Sequence, residues 1–399
     1  MDLKSHINDL LTGALTDELV LIRRHLHRYP ELSFEEQDTS AFIREKLDQW
    51  GIPYRHPVAG TGILARIRGG RPGKRIALRS DMDALPIAEQ TGLPYSSARH
   101  GVMHACGHDV HMACLLGAIR LLDRLKEKIR GEVLFVFQPG EERVPGGART
   151  MLDEGVFDEK RPDMIIAQHV LPEMEAGHVG FKPGIYMASS DEIYLTVKGK
   201  GGHGAQPEKI HDPVLMSSHI LISLQQEINR KAPRGVPTVL SFGKVTADGA
   251  VNVIPDQVEL EGTFRTMNET WRKEAHRMIG QIASGIASGM GGSVDVEIRH
   301  GYPVLHNHEK LTLESKRLAA EFLGEDAVEE MEIRMTAEDF AWFAGVIPGM
   351  MYRLGVRTPA SEEIFPLHTS GFRVDESALK TGSMLLSCLA VELLNNPPV

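Results

Sequence analysis

The sequence of 399 residues contains only three cysteines and no long apolar run. No segment approaches the roughly 18 consecutive apolar residues of a membrane helix, and the acidic, amphipathic amino terminus lacks the features of a signal peptide. We therefore expect a cytoplasmic protein without a membrane partner. The cysteines are too few for a disulfide framework. Cys114 and Cys388 lie in apolar helical segments and are expected to be inert, whereas Cys106 lies between histidines.

An excess of positive charge is also missing. The formal net charge is -10, and the basic residues are mixed with acidic ones instead of forming a stripe. This distribution argues against nucleic-acid binding and favours a small-molecule substrate. The length exceeds what one hydrophobic core usually supports, so two domains are expected.

Helical and strand patterns alternate in the first half of the chain, which predicts an α/β fold with a mostly parallel sheet flanked by helices. From about Ile185 the pattern becomes βαββαβ, the order of a ferredoxin-like α+β domain. The α/β pattern then returns. We predict a discontinuous catalytic domain of residues 1–185 and 302–399, interrupted by an inserted lid or dimerisation domain of residues 186–301.

The predicted strands "RIALRSD", "EVLFVFQPGEE" and "DMIIAQHV" each run directly into polar residues. Ligands of open α/β sheets bind beyond the carboxyl ends of the strands. Five polar residues are therefore expected to converge at one edge of the sheet: Asp81, Asp83, Glu141, Glu142 and His169, the last as the end of its strand.

The segment "HACGH" places Cys106 and His108 two residues apart. Thiolate and imidazole suit zinc, iron, cobalt, nickel or manganese better than calcium or magnesium. By itself this short pattern is equally compatible with helix capping or packing.

The adjacent carboxylates of Glu141 and Glu142 could provide one metal ligand and one general base, although a solvated acidic loop is the commoner explanation of such a pair. His169 and His368 are single histidines, which are more often structural. Taken together, the potential ligands are too many for one tetrahedral catalytic ion, but they suit two ions that share a bridging thiolate.

Nine motifs occur in a fixed order along nearly the whole chain: "SDMDALP", "HACGHDVH", "FQPGEE", "AQHVLP", "GKGGHGAQP", "NVIPD", "GTFRT", "AEDFAWF" and "LHTSGF". This set resembles the M20 metallopeptidase family, and within it the aminoacylase or amidohydrolase branch of hippurate hydrolases, N-acetyl-diaminopimelate deacetylases and auxin-conjugate hydrolases. The resemblance implies a zinc-peptidase-like catalytic domain that binds two divalent ions of manganese, zinc, cobalt or nickel.

The resemblance also implies a role for each site residue. Cys106 would bridge the ions, His108 and His169 would complete one site, and Glu142 and His368 the other. Glu141 would be the general base that activates water.

Two aspartates lie behind these residues in the same interpretation. Asp83 would orient a ligand histidine. Asp81 stands where other branches of the family have a metal histidine, so His108 would take over that duty.

In the inserted domain, His203 matches a histidine that stabilises the oxyanion in the site of a second copy of the chain, which implies a homodimer. Asn252 and Arg265 match positions that hold the substrate backbone or carboxylate. Each residue also has a plain structural explanation, as part of a tight turn, a turn former or a strand surface charge respectively. The glycines of "GKGGHG" lack the lysine and Ser/Thr of a phosphate-binding loop.

The function expected from the resemblance is metal-dependent hydrolysis of N-acyl L-amino acids to a carboxylic acid and a free amino acid. Two alternatives stay open, a dipeptidase or aminopeptidase of the same family and a non-catalytic binding protein. The loops "RVPGGA" and "MTAEDF" and Gly371 depart from the usual pattern of the branch, which leaves the preferred acyl group and amino acid undetermined.

Overall fold

The computed structural model describes residues 3–397. They form two compact units. The first comprises the residues up to Tyr186, His306–Ile333 and the residues from Asp339 onward, and the second comprises Met187–Leu305 with Arg334–Glu338. The second unit thus differs from the expected range 186–301 by a few residues and by a short return segment. That segment belongs to it because the Ala188 N–H donates to the carbonyls of Arg334 and Thr336, both at 3.1 Å.

Up to Met187 the chain alternates helices and strands. The helices are α1 (Leu3–Leu10), α2 (Gly13–Arg28), α3 (Gln37–Trp50), α4 (His108–Arg124) and α5 (Gly147–Asp153). The strands are β1 (Tyr54–Val58), β2 (Gly62–Arg68), β3 (Arg71–Asp81), β4 (Arg130–Gln138), β5 (Met164–Glu175), β6 (Val179–Phe181) and β7 (Gly184–Met187).

The middle of the chain contains two long helices and several strands. The strands are β8 (Asp191–Lys198), β9 (Gly202–His203), β10 (Thr238–Thr246), β11 (Val253–Ile254), β12 (Gln257–Thr266) and β13 (Ser293–His300), with helices α6 (Pro213–Lys231) and α7 (Glu269–Gly289) between them. The last part consists of β14 (Leu305–Asn307), α8 (Glu309–Leu323), β15 (Val328–Glu330), α9 (Ala341–Ala344), β16 (Gly349–Arg357) and α10 (Ala378–Asn395). Short 3-10 turns lie at Lys126–Lys128, Pro207–Lys209 and Glu325–Ala327.

The first unit is built on an eight-stranded sheet in the order β1-β2-β4-β3-β5-β16-β6-β15. Its four central strands β4, β3, β5 and β16 run parallel, whereas β1, β2 and β6 join antiparallel to their inner neighbours. Helices α4 and α10 are buried along almost their whole length. This arrangement confirms the predicted α/β fold of a sheet with flanking helices, and it brings the carboxyl ends of β3, β4 and β5 to one edge.

Amphipathic patterning explains the outer helices of this unit. Helix α2 buries Leu15, Leu19, Ile22 and Leu26, which recur at three- and four-residue spacing along one face. Its amino terminus is capped by Thr12, whose hydroxyl accepts a hydrogen bond from the Leu15 N–H. None of the helices among residues 3–397 is both long and apolar enough to span a membrane.

Strand β5 is longer than its apolar sequence suggests. The prediction that His169 ends this strand is wrong, because β5 continues to Glu175. The reason is its second neighbour. Pairing with β3 stops at Ala167, whereas pairing with β16 continues past His169 to Glu175. His169 therefore lies just past the last residue of β5 that pairs with β3, and it pairs in register with Arg353 of β16.

The second unit has the predicted βαββαβ order. Its four-stranded antiparallel sheet has the order β10-β12-β8-β13, which is the ferredoxin-like arrangement. Helices α6 and α7 pack their apolar faces on this sheet around Ile193, Leu260 and Ile279. Both helices begin with a side-chain cap, from Asp212 and Asn268 respectively.

Candidate metal centre and active site

The candidate site begins where β3 and β4 end. Asp81 is the last residue of β3 and pairs in register with Gln138, the last residue of β4. Because the two strands are parallel, the residues that follow them emerge at the same edge of the sheet. Asp83 and the Glu141–Glu142 pair are therefore brought together from positions almost 60 residues apart in sequence.

A sharp turn before α4 brings Cys106 and His108 to this edge. Gly107 between them has a left-handed φ of 79° and caps α4, which begins at His108. A Cβ at this position would lie 2.5 Å from Cγ2 of Val170. Glycine is thus required both by the backbone conformation and by the close approach of β5.

Two groups of potential metal ligands share the thiol of Cys106. In the first, Cys106 lies with His108 and His169, and in the second it lies with Glu142 and His368; within each group the ligand atoms are within 4.8 Å of one another. The Cys106 sulfur is 3.5 Å from Nε2 of His169 and 3.3 Å from Nε2 of His368. The thiol is therefore the one member common to both groups.

The hydrogen bonds of the two histidines in the first group leave Nε2 of each ring for a metal ion. Nδ1 of His169 donates to the Val170 carbonyl at 2.8 Å, and Nδ1 of His108 donates to the Asp83 carbonyl at the same distance. In both rings Nε2 is the nitrogen that remains available to a metal ion. Among residues 3–397, the buried Nε2 of His108 and Oε1 of Glu142 have no hydrogen-bond partner. Orphaned acceptor atoms of this kind fit a bound cation, since burial without any partner is costly.

The electrostatics of the site favour a positive ion. Burial lowers the pKa of His108, but the neighbouring Asp81 and Asp83 carboxylates outweigh it and raise this pKa to about 10. The pKa of His169 is held well below its usual range by burial and by Arg353. Burial and the nearby carboxylates raise the pKa of the Cys106 thiol. The carboxylates that raise the pKa of His108 would equally attract a divalent cation, which would bind Nε2 in place of the proton.

His368 reaches the site from the loop before α10. Its backbone φ of 60° is left-handed, which is uncommon for a residue with a side chain. The conformation is held by a hydrogen bond from its N–H to the Ala105 carbonyl at 2.9 Å. Strained residues of this kind cluster at functional sites. Nε2 of His368 lies 3.4 Å from Oε1 of Glu142.

Asp83 lies directly behind the ligands and is fully buried. Its two carboxylate oxygens accept hydrogen bonds from the backbone N–H groups of Glu141 at 3.0 Å and Glu142 at 2.9 Å. Its Oδ1 is also 3.3 Å from Nδ1 of His108. Ser33 donates to it at 2.6 Å. Asp83 therefore contacts the backbone of the glutamate pair as well as His108, one of the predicted ligand histidines.

The Glu141 side chain lies on the ligand side of the loop. One of its oxygens falls within a 4.8 Å group with His108 and Glu142, and Oε1 accepts a hydrogen bond from the Asp339 N–H at 3.4 Å. The residue is buried, with 7% of its surface exposed. The Glu141 carboxylate therefore lies beside the two ligand groups that share Cys106, but it belongs to neither of them.

Sequence reasoning missed a buried network beneath the ligands. Asp81 accepts hydrogen bonds from Nδ1 of His111 at 2.6 Å and from Arg79 at 2.8 Å. Arg79 also donates to Gln138 and Asp339, each at 2.8 Å. The available signal was Arg79 itself, a charged residue inside the apolar strand pattern "RIALRSD".

The three residues predicted in the inserted domain lie in the second unit. His203 pairs in register with Val253, and the Gly204 N–H donates to the Asn252 carbonyl at 2.9 Å, so His203 and Asn252 are neighbours. Both are exposed. Arg265 is half-buried on β12, and its guanidinium donates to the Met335 carbonyl at 3.3 Å.

Comparison with known proteins agrees with the motif pattern. The chain is 36% identical to N-acetyl-L-cysteine deacetylase of Bacillus subtilis over 99% of this chain and 93% of that protein. It is also 36% identical to thermostable carboxypeptidase 1 of Saccharolobus solfataricus over 96% of both proteins. A solved Bacillus subtilis structure, described as a dinuclear metal binding peptidase from the M20 family, matches with a TM-score of 0.81 and 34% identity over 96% of this chain and 99% of that one.

Residues 77–392 match the sequence model of peptidase family M20/M25/M40. The predicted resemblance is thereby confirmed. The chain belongs to peptidase family M20/M25/M40 and is a metal-dependent hydrolase.

Proposed function

We propose that the protein hydrolyses the amide bond of N-acyl L-amino acids at a site for two divalent ions. The observation that carries this proposal is the position of the Cys106 sulfur, 3.5 Å from Nε2 of His169 and 3.3 Å from Nε2 of His368. One thiolate shared by two ligand groups is the arrangement expected of a bridging ligand. Cys106, His108 and His169 would hold one ion, and Cys106, Glu142 and His368 the other.

The donor set of one thiolate, three imidazoles and one carboxylate suits zinc, manganese, cobalt or nickel. When bound, such ions polarise the amide carbonyl and acidify water. Glu141 takes the proton from the attacking water and delivers it to the amide nitrogen as the carbon–nitrogen bond breaks. The products are a carboxylic acid and a free amino acid.

The second unit would supply the substrate contacts. In this proposal His203 donates to the developing oxyanion, Asn252 holds the substrate backbone, and Arg265 pairs with the substrate carboxylate. The assignment rests on the match of these positions to the family motifs. If His203 acts on the site of a second copy, the active form is a homodimer.

A peptidase activity is the second candidate. The Saccharolobus solfataricus relative is described as a carboxypeptidase and is as similar to this chain as the deacetylase is. Both reactions hydrolyse an amide bond next to a carboxylate. The two activities differ in the acyl part of the substrate, which has no free amine in an N-acyl amino acid and has a free amine in a dipeptide.

The test is amino-acid release from N-acetyl, N-benzoyl and longer N-acyl amino acids beside unmodified dipeptides. Chelator-treated protein is assayed with and without added manganese, zinc, cobalt or nickel. Metal-restored cleavage of acylated substrates supports the proposal. Cleavage of dipeptides alone assigns a peptidase, and no cleavage at all favours a binding protein.

The role of Glu141 has its own test. Glu141→Gln is expected to lose turnover while keeping its bound metal, because the amide cannot accept the proton but fills the same space. Glu173→Gln, at an exposed glutamate of the same unit, is the control and should be fully active. Turnover retained by Glu141→Gln would overturn the mechanism.

A further inference from the structure

The loop that carries the two glutamates is held by carboxylates outside it. Three consecutive backbone N–H groups each donate to a buried acid. The Gly140 N–H donates to Oε1 of Glu36 at 2.8 Å, and the N–H groups of Glu141 and Glu142 donate to Asp83 at 3.0 and 2.9 Å. Asp83 belongs to the predicted site, but Glu36 comes from a different part of the chain, 104 residues from Gly140.

Glu36 is itself fixed from several directions. It is 0% exposed. Its Oε1 also accepts from the Phe34 N–H at 2.9 Å, and its Oε2 accepts from the Thr61 hydroxyl at 2.7 Å. The hydrogen bonds from Phe34 and Thr61 fix the Glu36 carboxylate, and the carboxylate in turn fixes the position of the Gly140 N–H.

Phe34 holds the same glycine from another side. A Cβ on Gly140 would lie 2.5 Å from Cζ of the Phe34 ring. Both residues have a left-handed φ, 58° at Gly140 and 66° at Phe34. An unfavourable conformation at Phe34 next to Glu36 indicates that the surrounding structure enforces this contact.

Helix stability alone does not explain Glu36. The residue occupies the N-cap position of α3, where a side chain normally caps its own helix, yet it makes no capping hydrogen bond to α3. Its carboxyl is instead directed at Gly140. Burial and the nearby Asp83 raise the pKa of Glu36 to about 7. A buried carboxyl group beside another carboxyl group is less favourable than an apolar side chain at the same position. Packing alone therefore does not explain a glutamate at position 36.

We infer that Glu36 is a positioning residue for Glu141, acting through the Gly140 N–H. Glu36 fixes the Gly140 N–H, and Asp83 fixes the next two N–H groups. The backbone of Glu141 is thereby held in place, and this determines the position of its carboxylate. This inference rests on the proposed function of Glu141. Asp83 holds the backbone of both glutamates, but Glu141 directly follows Gly140, whereas Glu142 is one residue further away and lies among the candidate ligands. Loss of Glu36 should therefore disturb the base more than the metal.

The experiment compares Glu36→Ala with Glu36→Gln in metal-loaded protein. Glu36→Ala is expected to lower kcat on the order of 10- to 100-fold, the effect of misplacing a catalytic group by about 1 Å, with KM and bound metal per chain unchanged. Glu36→Gln is expected to recover most of the activity, because its amide oxygen can still accept from Gly140. If Glu36→Ala does not fold, Glu36→Asp replaces it, since the shorter side chain cannot span Thr61 and Gly140.

Folded fraction and metal content are measured on the same samples. An unchanged kcat in Glu36→Ala, or a loss fully accounted for by missing metal or unfolded protein, would overturn the inference. Glu141→Gln is assayed in parallel. If Glu141→Gln is inactive and Glu36→Ala is fully active, only the role of Glu36 is refuted. If Glu141→Gln is active, both the proposed general base and the inference about Glu36 are refuted.

Discussion

His111 donates a hydrogen bond from Nδ1 to Oδ1 of Asp81, and the two atoms are 2.6 Å apart. The tautomer is defined, because Nε2 of His111 accepts from the Val170 N–H at 2.9 Å. Asp81, His108 and His111 lie close enough to form another potential ligand group, but both nitrogens of His111 are engaged and Arg79 donates to the other oxygen of Asp81. His111 therefore supports the site by fixing the backbone beside His169.

Replacing Arg79 tests how strongly this network stabilises the fold. Its guanidinium is buried and pairs with Asp81 and Asp339, each at 2.8 Å. Arg79→Met would leave two buried carboxylates without their cation. We expect the free energy of unfolding of the metal-free protein to fall by about 3–5 kcal/mol, measured by chemical denaturation.

Arg277→Met is the matched control, because Arg277 forms an exposed pair with Glu274 on α7. Its loss should change the free energy of unfolding by less than about 1 kcal/mol. Equal effects of the two substitutions would show that the buried pairs contribute no more than a surface pair.

Cys106 is predicted to be required for both ions. Cys106→Ser replaces a soft ligand by a hydroxyl, which binds zinc-like ions poorly. We expect metal bound per chain, measured by elemental analysis after dialysis, to fall for both sites together. Cys114→Ser is the control, because Cys114 is buried next to the Leu379 carbonyl and belongs to neither ligand group. Loss of only one ion in Cys106→Ser would contradict a bridging role.

The sequence indicated the candidate ligands but not the residues that support them. Cys106, His108 and Glu142 have side chains whose chemistry is visible in the residue type, and strand ends are visible in the hydrophobic pattern. Glu36 and His111 were missed because their roles depend on contacts with Gly140 and Val170, which only the tertiary fold creates. The same limit explains the wrong strand end at His169, since the length of β5 is set by its pairing with β16 and not by its own apolar residues.

A buried histidine outside the site should make stability depend on pH. His27 donates to Asp109 at 2.8 Å and to Glu89 at 3.2 Å. Burial and the neighbouring Arg23 oppose its charge, but the two carboxylates outweigh them and raise the pKa of His27 above 6.5. The stabilisation by charged His27 is therefore complete below pH 6.5 and is lost as the pH rises through the higher folded-state pKa.

The measurement is the free energy of unfolding of the wild-type protein minus that of His27→Gln, from denaturation curves at several pH values from 6 upward. This difference should shrink with rising pH. His25→Gln serves as the control on the same helix. Burial lowers the pKa of His25. The contribution of His25 to the free energy of unfolding should therefore change with pH only at pH values below 6.5. A difference for His27 that stays constant or grows with pH would refute the prediction.

Arg265 should affect substrates that carry a carboxylate and no others. Its guanidinium is half-buried on β12, and burial lowers its pKa from 12.5, an effect that a carboxylate partner would offset. A hydrogen-bonded charged pair contributes about 1.5–3 kcal/mol, which corresponds to roughly 10- to 100-fold in affinity. We expect Arg265→Gln to raise KM for N-acyl amino acids by this factor with little change in kcat. For the matching N-acyl amino amides, which lack the carboxylate, wild-type and variant protein should have the same KM.

The control is Arg299→Gln, at an exposed arginine of the same unit that pairs with Glu297. This variant should have the wild-type KM for both the acids and the amides. An equal rise of KM for the acids and the amides in Arg265→Gln would contradict substrate recognition by Arg265. The residue would then support the fold of the second unit through its hydrogen bond to the Met335 carbonyl.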